Sequence, residues 1–351
     1  MSHPDPIDRP RRRLVGAAAL TLAAAPFAAG EAFAQGGADD QTLTPSPVNH
    51  TAFAPLKQVD AGPLGIAYAE AGPAAGPPVI LLHGWPYDIH SYVDVAPLLA
   101  DRGFRVIVPY LRGFGPTRFL SAATVRNGQQ SAIALDIINL MDALKIEKAV
   151  VAGYDWGART ADILAALWPE RCRALVSVSG YLIVNLEANK QPLPPQAELG
   201  WWYQYYFATE RGRLGYERNR HDFNRLIWKI ASPGWSFDDA TYERTAAAFD
   251  NPDHVAIVIH NYRWRQSLAD GERAYDALEA RLQAAPTIAT PTLTIGSDFD
   301  GAAADGGPYA RRFTGPYAHR RLRGIGHNVP QEAPQAFADA VLAAAALGGR
   351  G

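Results

Sequence analysis

Short, uniformly apolar runs that stop at turns and alternate with segments of helical spacing constrain this chain more than any other feature. Val79-Ile80-Leu81-Leu82 stops at His83-Gly84-Trp85-Pro86, and Val106-Ile107-Val108 stops at Pro109. Runs without polar alternation are the mark of strands covered on both faces, as in buried parallel sheets. Apolar residues at 133, 137, 140, 141 and 144 then share one helical face across residues 129–144, which lead into Ala149-Val150-Val151-Ala152. A further helical segment, 156–166, closes at Trp168-Pro169 and precedes Ala174-Leu175-Val176-Ser177-Val178. Parallel strands need long crossovers rather than tight turns. The repeated βα alternation therefore predicts an α/β fold built on a mostly parallel, doubly wound sheet.

The pattern breaks after Gly180. Residues 181–285 carry Pro192, Pro194 and Pro195, the aromatic run Trp201-Trp202-Tyr203-Gln204-Tyr205-Tyr206-Phe207 and helix-like stretches without strands, which reads as a helical cap inserted into the sheet domain. Strand character returns at Pro291-Thr292-Leu293-Thr294-Ile295 and at 319–323, and an amphipathic helix is expected over 334–347. The expected organisation is a first core segment at 56–180, the cap at 181–285 and a second core segment at 286–351. Residues 35–55 read as an N-terminal linker.

Residues 1–34 belong to targeting. Arg9, Arg11, Arg12 and Arg13 precede an apolar stretch, 14–29, and the small-residue triplet Ala32-Phe33-Ala34, the order of an export signal. The adjacent arginines point to the twin-arginine route. Interrupted by Pro26, the stretch is shorter than the roughly 20 residues a membrane span needs. A cleaved leader and a periplasmic or secreted protein are expected, with no membrane span in the mature chain. A charge balance of 33 Lys and Arg against 35 Asp and Glu in 351 residues gives no footprint for nucleic acid. The single cysteine, Cys172, excludes an intramolecular disulfide and a Cys-rich metal cage.

Three loops carry chemistry. Gly153-Tyr154-Asp155-Trp156-Gly157 lies between strand and helix, with the spacing of an elbow that exposes its middle side chain on a strained turn. That side chain is Asp155. A carboxylate attacking saturated carbon makes an ester, which water can later cleave, whereas the ether a serine would form is inert. His327, in Gly324-Ile325-Gly326-His327-Asn328, follows the last expected strand and is the candidate base for that water. An acid should orient the imidazole. Asp298 and Asp300 both follow the 291–295 strand; Asp300, followed by Gly301, is preferred, and Asp298 remains the alternative. The Trp85 and Trp156 amides are placed to form a two-donor oxyanion hole.

The order H-G-W-P, G-Y-D-W-G, Asp300 and G-H-N, with an aromatic insert, resembles the α/β-hydrolase fold, in particular its epoxide hydrolase and haloalkane dehalogenase branch. The resemblance covers residues 60–347. It implies two cap tyrosines that protonate an epoxide oxygen: Tyr203, in a segment similar to Y-Q-x-Y-F, and Tyr262, in Asn261-Tyr262-Arg263, similar to W-Y-R. Tyr205 and Tyr206 are fallbacks. The turn Pro109-Tyr110-Leu111-Arg112-Gly113-Phe114-Gly115 departs from the family's P-D-x-R-G-x-G at Tyr110. The implied activity is hydrolysis of a small hydrophobic epoxide to a diol, without metal or organic cofactor. A haloalkane or haloacetate dehalogenase using the same Asp-His-Asp set is the rival, the latter drawing on His221, His254 or His260. A non-catalytic binding protein with a retained hydrolase fold is the third reading.

Overall fold

The structure is a computed structural model that describes residues 39–299 and 306–349. The leader expected at 1–34, Asp300 and the loop residues 301–305 lie outside the described residues.

Among these residues one sheet is formed by β1 (Asp39–Thr42), β2 (Lys57–Ala61), β3 (Leu64–Ala71), β4 (Pro78–Leu82), β5 (Arg105–Pro109), β6 (Arg118–Phe119), β7 (Ala149–Gly153), β8 (Cys172–Val178), β9 (Thr292–Ser297) and β10 (Tyr317–Arg323). Its order is β1-β10-β9-β8-β7-β4-β5-β3-β2, with β6 beside β3. From β1 to β5 every pairing is parallel. β3 runs antiparallel to β5, β2 and β6. Every residue of β7 and β9 is buried, as expected of strands covered on both faces. The helices α1 (Val95–Ala100), α2 (Gln130–Ala143), α3 (Trp156–Leu167), α10 (Val329–Glu332) and α11 (Pro334–Leu347) flank the sheet. α2 and α3 pack on each other, α3 lying on β7 and β8, while α1 and α11 pack together, α11 lying on β8 and β9.

The strands and helices expected over the core sit where the sequence places them, α11 over the same residues. The β2–β3 hairpin was not expected. Within the segment read as a linker, Asp39–Thr42 adds an edge strand against β10.

Between β8 and β9 the chain leaves the sheet for α4 (Pro195–Gly200), α5 (Trp202–Ala208), α6 (Glu210–Ala231), α7 (Asp239–Ala246), α8 (His254–Arg265) and α9 (Asp276–Gln283). Side-chain caps start two of these: Thr209 Oγ1 accepts from the Gly212 amide at α6, and an Asp238 carboxylate oxygen accepts from the Thr241 amide at α7. No helix among the described residues is long and apolar enough to cross a membrane. The carboxyl ends of β4, β7, β9 and β10 open toward this insert, and in open α/β sheets that edge is where ligands bind.

Candidate active site

The geometry of the site begins with three glycines. Asp155 follows β7 with φ +53° and ψ −124°, a backbone conformation that costs a non-glycine residue about 1–3 kcal/mol. A Cβ on Gly157 would lie 1.8 Å from the Leu82 carbonyl oxygen, and one on Gly153 would lie 2.4 Å from the Gly157 carbonyl carbon. A Cβ on Gly84 would lie 2.3 Å from Asp155 Cβ. Only bare backbone lets the ends of β4 and β7 meet the start of α3 this closely. Asp155 stands at the apex of that junction.

Its carboxylate is held from two sides. The Trp85 amide donates to Oδ1 at 2.8 Å, and His327 Nε2 lies 3.4 Å from Oδ2. Burial alone would raise the Asp155 pKa; the hydrogen bond and charge of His327, the charge of Arg159 and the Trp85 amide bring it below the ordinary carboxylate value. The Trp156 amide opens α3, where the first N–H groups have no intrahelical acceptor.

His327 is buried, with Phe299 4.2 Å away and Tyr87 and Tyr154 each 5.8 Å away, ring centre to ring centre. Its amide donates to Ser232 Oγ (3.0 Å) and to the Ala231 carbonyl (3.2 Å) at the end of α6. Nδ1 is buried and has no hydrogen-bond partner among the described residues.

The insert supplies a wall of aromatic rings. Tyr203 and Tyr262 meet edge to face at 5.4 Å, and each lies 5.2 Å from the Trp85 ring. Burial first, and the nearby Asp155 charge, push both phenols upward, Tyr262 also feeling Tyr203, so both hold their protons at neutral pH. The Trp85 indole N–H donates to Tyr216 Oη at 2.8 Å. Tyr216 in turn donates to His254 Nε2 (2.9 Å), whose Nδ1–H donates to the Gly113 carbonyl (2.9 Å). Burial pushes His254 down to about 3 and His83 down to about 4, which leaves both neutral.

Trp85, Asp155, Trp201, Tyr203, Phe299 and His327 line a cavity of about 30 Å³. A larger hollow of about 340 Å³ on the surface of the insert, among Arg220, His221, Glu243 and Asp250, shares no residue with it.

This junction of strand, elbow and helix falls inside residues 77–304, which match the family model described as alpha/beta hydrolase fold. The chain belongs to the α/β-hydrolase fold family. A crystal structure described as a "putative epoxide hydrolase" from Klebsiella pneumoniae subsp. pneumoniae is 58% identical, covering 85% of this chain and 100% of that one with a TM-score of 0.82. Epoxide hydrolase B of Mycobacterium tuberculosis is 33% identical over 152 residues, 39% of this chain. The aligned stretch spans only 41% of that relative's length. A haloalkane dehalogenase of Mycolicibacterium paratuberculosis is 29% identical over 231 residues, 62% of this chain and 72% of the relative.

Within this α/β-hydrolase site, the structure brings together Asp155, His327, Trp85, Trp156, Tyr203 and Tyr262. It does not bring Asp298 to the imidazole: that carboxylate is exposed and accepts from the Gly324 amide at 2.7 Å. Asp300 follows Phe299, whose ring packs on His327, but lies outside the described residues. Tyr205 is half exposed and bonded to Glu198, and Tyr206 stacks on Phe223. His221 pairs with Glu243 on the surface, and His260 is bonded by the Gly128 amide and the Asp270 carbonyl, so neither faces the cleft. Tyr110 packs against Gly115 and edge-on to His83.

Three charged residues at the site were not anticipated. Glu332 is buried and accepts from the Gly326 amide (2.7 Å), the Asn328 amide (3.0 Å) and Ser232 Oγ (2.6 Å), bracketing His327. Arg159 lies one helical turn after Asp155, and Arg265 sits over the Tyr262 ring at 5.4 Å. The i, i+4 spacing from Asp155 was the available signal for Arg159; a buried glutamate carries none.

Proposed function

We propose that the chain hydrolyses epoxides to vicinal diols through an ester on Asp155. The observation that carries this reading is one carboxylate on a strained elbow, 2.8 Å from an amide donor and 3.4 Å from an imidazole, facing two protonated phenols. An Asp155 oxygen attacks a ring carbon as the C–O bond of the epoxide breaks. The developing alkoxide, a stronger base than tyrosinate, takes a proton from Tyr203 or Tyr262. His327 Nε2 then removes a proton from water as its oxygen adds to the ester carbonyl. The oxyanion so formed is held by the Trp85 amide, already 2.8 Å from Oδ1, and by the Trp156 amide at the helix start. Collapse expels the diol oxygen, which takes the proton held by His327, and the second proton of the water returns to the tyrosinate as the Asp155 carboxylate is regenerated. Asp300 is the acid assigned to the imidazolium, supported by its place next to Phe299.

One observation favours the dehalogenase reading: the Trp156 indole N–H is buried without a hydrogen-bond partner among the described residues, so it could hold a departing halide. The Trp85 indole, the obvious second donor, is taken up by Tyr216. With one donor on hand instead of two, epoxide opening is the better fit.

The test is single-turnover mass spectrometry of the His327→Ala protein with a panel of small epoxides and haloalkanes. An adduct of epoxide mass on the peptide containing Asp155 is expected, absent in Asp155→Asn. Halide release without any epoxide adduct would favour the dehalogenase, and turnover that survives Asp155→Asn would end both readings.

A further inference from the structure

The Trp85 amide that holds Asp155 is the last member of a hydrogen-bonded series that starts in the insert. Trp228, buried on α6, donates its indole N–H to the Pro86 carbonyl at 2.7 Å. The Tyr87 amide belongs to the same peptide group as that carbonyl and donates to the Gly84 carbonyl at 3.1 Å. The Trp85 amide shares its peptide group with the Gly84 carbonyl and donates to Asp155 Oδ1 at 2.8 Å. One indole, two peptide groups and one carboxylate thus stand in line. A second donor to the Gly84 carbonyl comes from the core: His83 Nδ1–H at 3.0 Å, with Nε2 accepting from the Leu111 amide.

A peptide group is planar, so fixing its carbonyl aims its N–H. Away from bulk water each bond also polarises the next, by about 10–30% per bond. Trp228 is itself held in place, stacking on Tyr87 (4.8 Å, 21°) and on Trp235 (5.6 Å, 26°). Three residues further on, the Ala231 carbonyl accepts from the His327 amide at 3.2 Å. One helix of the insert therefore grips both the turn that carries the oxyanion donor and the loop that carries the base.

The two steps at Asp155 make opposite demands on that donor. As Oδ2 attacks, the carboxylate charge leaves for the epoxide oxygen and Oδ1 becomes a weaker acceptor; as water adds to the ester, charge returns to Oδ1. A well-aimed amide favours the second step and not the first. We propose that Trp228 is a positioning residue for hydrolysis of the Asp155 ester, aiming the Trp85 amide through the Pro86 and Gly84 carbonyls. This rests on the ester mechanism of the epoxide reading and names the part of the insert that serves its second step.

Rapid-quench kinetics with styrene oxide separates the two steps in the wild type, Trp228→Phe and Trp235→Phe. Trp228→Phe keeps a stacking ring and removes the N–H. Trp235→Phe removes an indole N–H that is buried without a hydrogen-bond partner among the described residues, and so lies outside the series. In Trp228→Phe the rate constant for ester hydrolysis should fall about tenfold or more, toward the roughly 10²–10³ of a donor lost outright, while ester formation holds or quickens. Trp235→Phe should keep the wild-type ratio of the two rate constants. Should Trp228→Phe not fold, Trp228→benzothienylalanine, with sulfur for N–H in the same outline, takes its place. Amide hydrogen exchange followed by NMR reads the aim without any chemistry: the Tyr87 and Trp85 amides should exchange about tenfold faster in the variant, with Ile80 and Leu81 of β4 unchanged. Equal slowing of both steps, an unchanged ratio, or the same fall in Trp235→Phe overturns the positioning role and leaves the epoxide reading intact. If the wild type forms no ester on Asp155, that counts against the epoxide reading, and the exchange comparison alone decides the positioning role.

Discussion

Replacing Glu332 tests whether the position of the imidazole is built by its loop. The carboxylate takes three buried donors: Oε1 accepts from Ser232 Oγ and the Asn328 amide, and Oε2 accepts from the Gly326 amide. Burial raises its pKa above the ordinary carboxylate value, against the lowering effect of these three donors and of the His327 charge. Glu332→Leu preserves the volume and strands all three donors. At about 1–3 kcal/mol for each unsatisfied buried group, the loss is about 3–6 kcal/mol after the gain from burying a less polar side chain. At about 2–3 °C per kcal/mol for a domain of this size, the melting temperature falls by about 6–18 °C. Glu332→Gln keeps an acceptor at Oε1 but turns an NH2 toward the Gly326 amide, one donor against another. It should lose about 1–3 kcal/mol. Thermal unfolding gives these numbers, and rapid-quench kinetics adds a second reading: ester hydrolysis should slow in Glu332→Gln more than ester formation, because in the proposed mechanism only the former uses His327 as base. If Glu332→Leu unfolds within about 0.5 kcal/mol of the wild type, or both steps slow equally in the glutamine variant, the reasoning is wrong.

Other substitutions probe separate parts of the site. Tyr203→Phe and Tyr262→Phe should each reduce the rate of ester formation by about 10²-fold, and together by more, without changing hydrolysis of the preformed ester; a single-turnover trace in which ester hydrolysis slows instead would reassign the phenols. Gly157→Ala should give little or no soluble protein, because its Cβ would sit 1.8 Å from the Leu82 carbonyl oxygen, and normal yield and activity would contradict the crowding argument. Asp162 has a folded pKa of about 8, above its unfolded value of about 3.9, so its contribution to stability is fully present below pH 4 and is lost as pH rises through 8. The melting temperature of Asp162→Asn should therefore gain on that of the wild type between pH 5 and 8.5, and parallel curves would refute the assignment.

Local signals dominate the part of the fold that can be read from the chain. The 149–153 run, the elbow and α3 are legible because each is specified by its own residues: a stretch buried on both faces, two glycines and a helical face. α11 is bounded by Pro334 at its start and Gly348 after its end, which mark helix termini in sequence. β1 reads Asp-Asp-Gln-Thr and has no strand character of its own; its place comes from β10, nearly three hundred residues away. β2 is mostly exposed, and β3 is rich in Ala and Gly, so their pairing depends on partners rather than propensity. The same distinction holds at the site. Asp155, His327 and the Trp85 turn stand in recognisable local frames, whereas Glu332 acts partly through Ser232, which lies just past the end of α6, a hundred residues away in sequence.

Trp85 belongs to two halves of the molecule at once. Its main chain faces the carboxylate, while its indole hangs from Tyr216 and, through His254, from the Gly113 turn. A chamber with room for a water or two must widen to admit any organic molecule. The helices that would swing aside are the ones gripping that indole. Admission and reactivity thus meet in one residue: a shift of α6 that widens the chamber pulls on the side chain whose own amide holds the carboxylate.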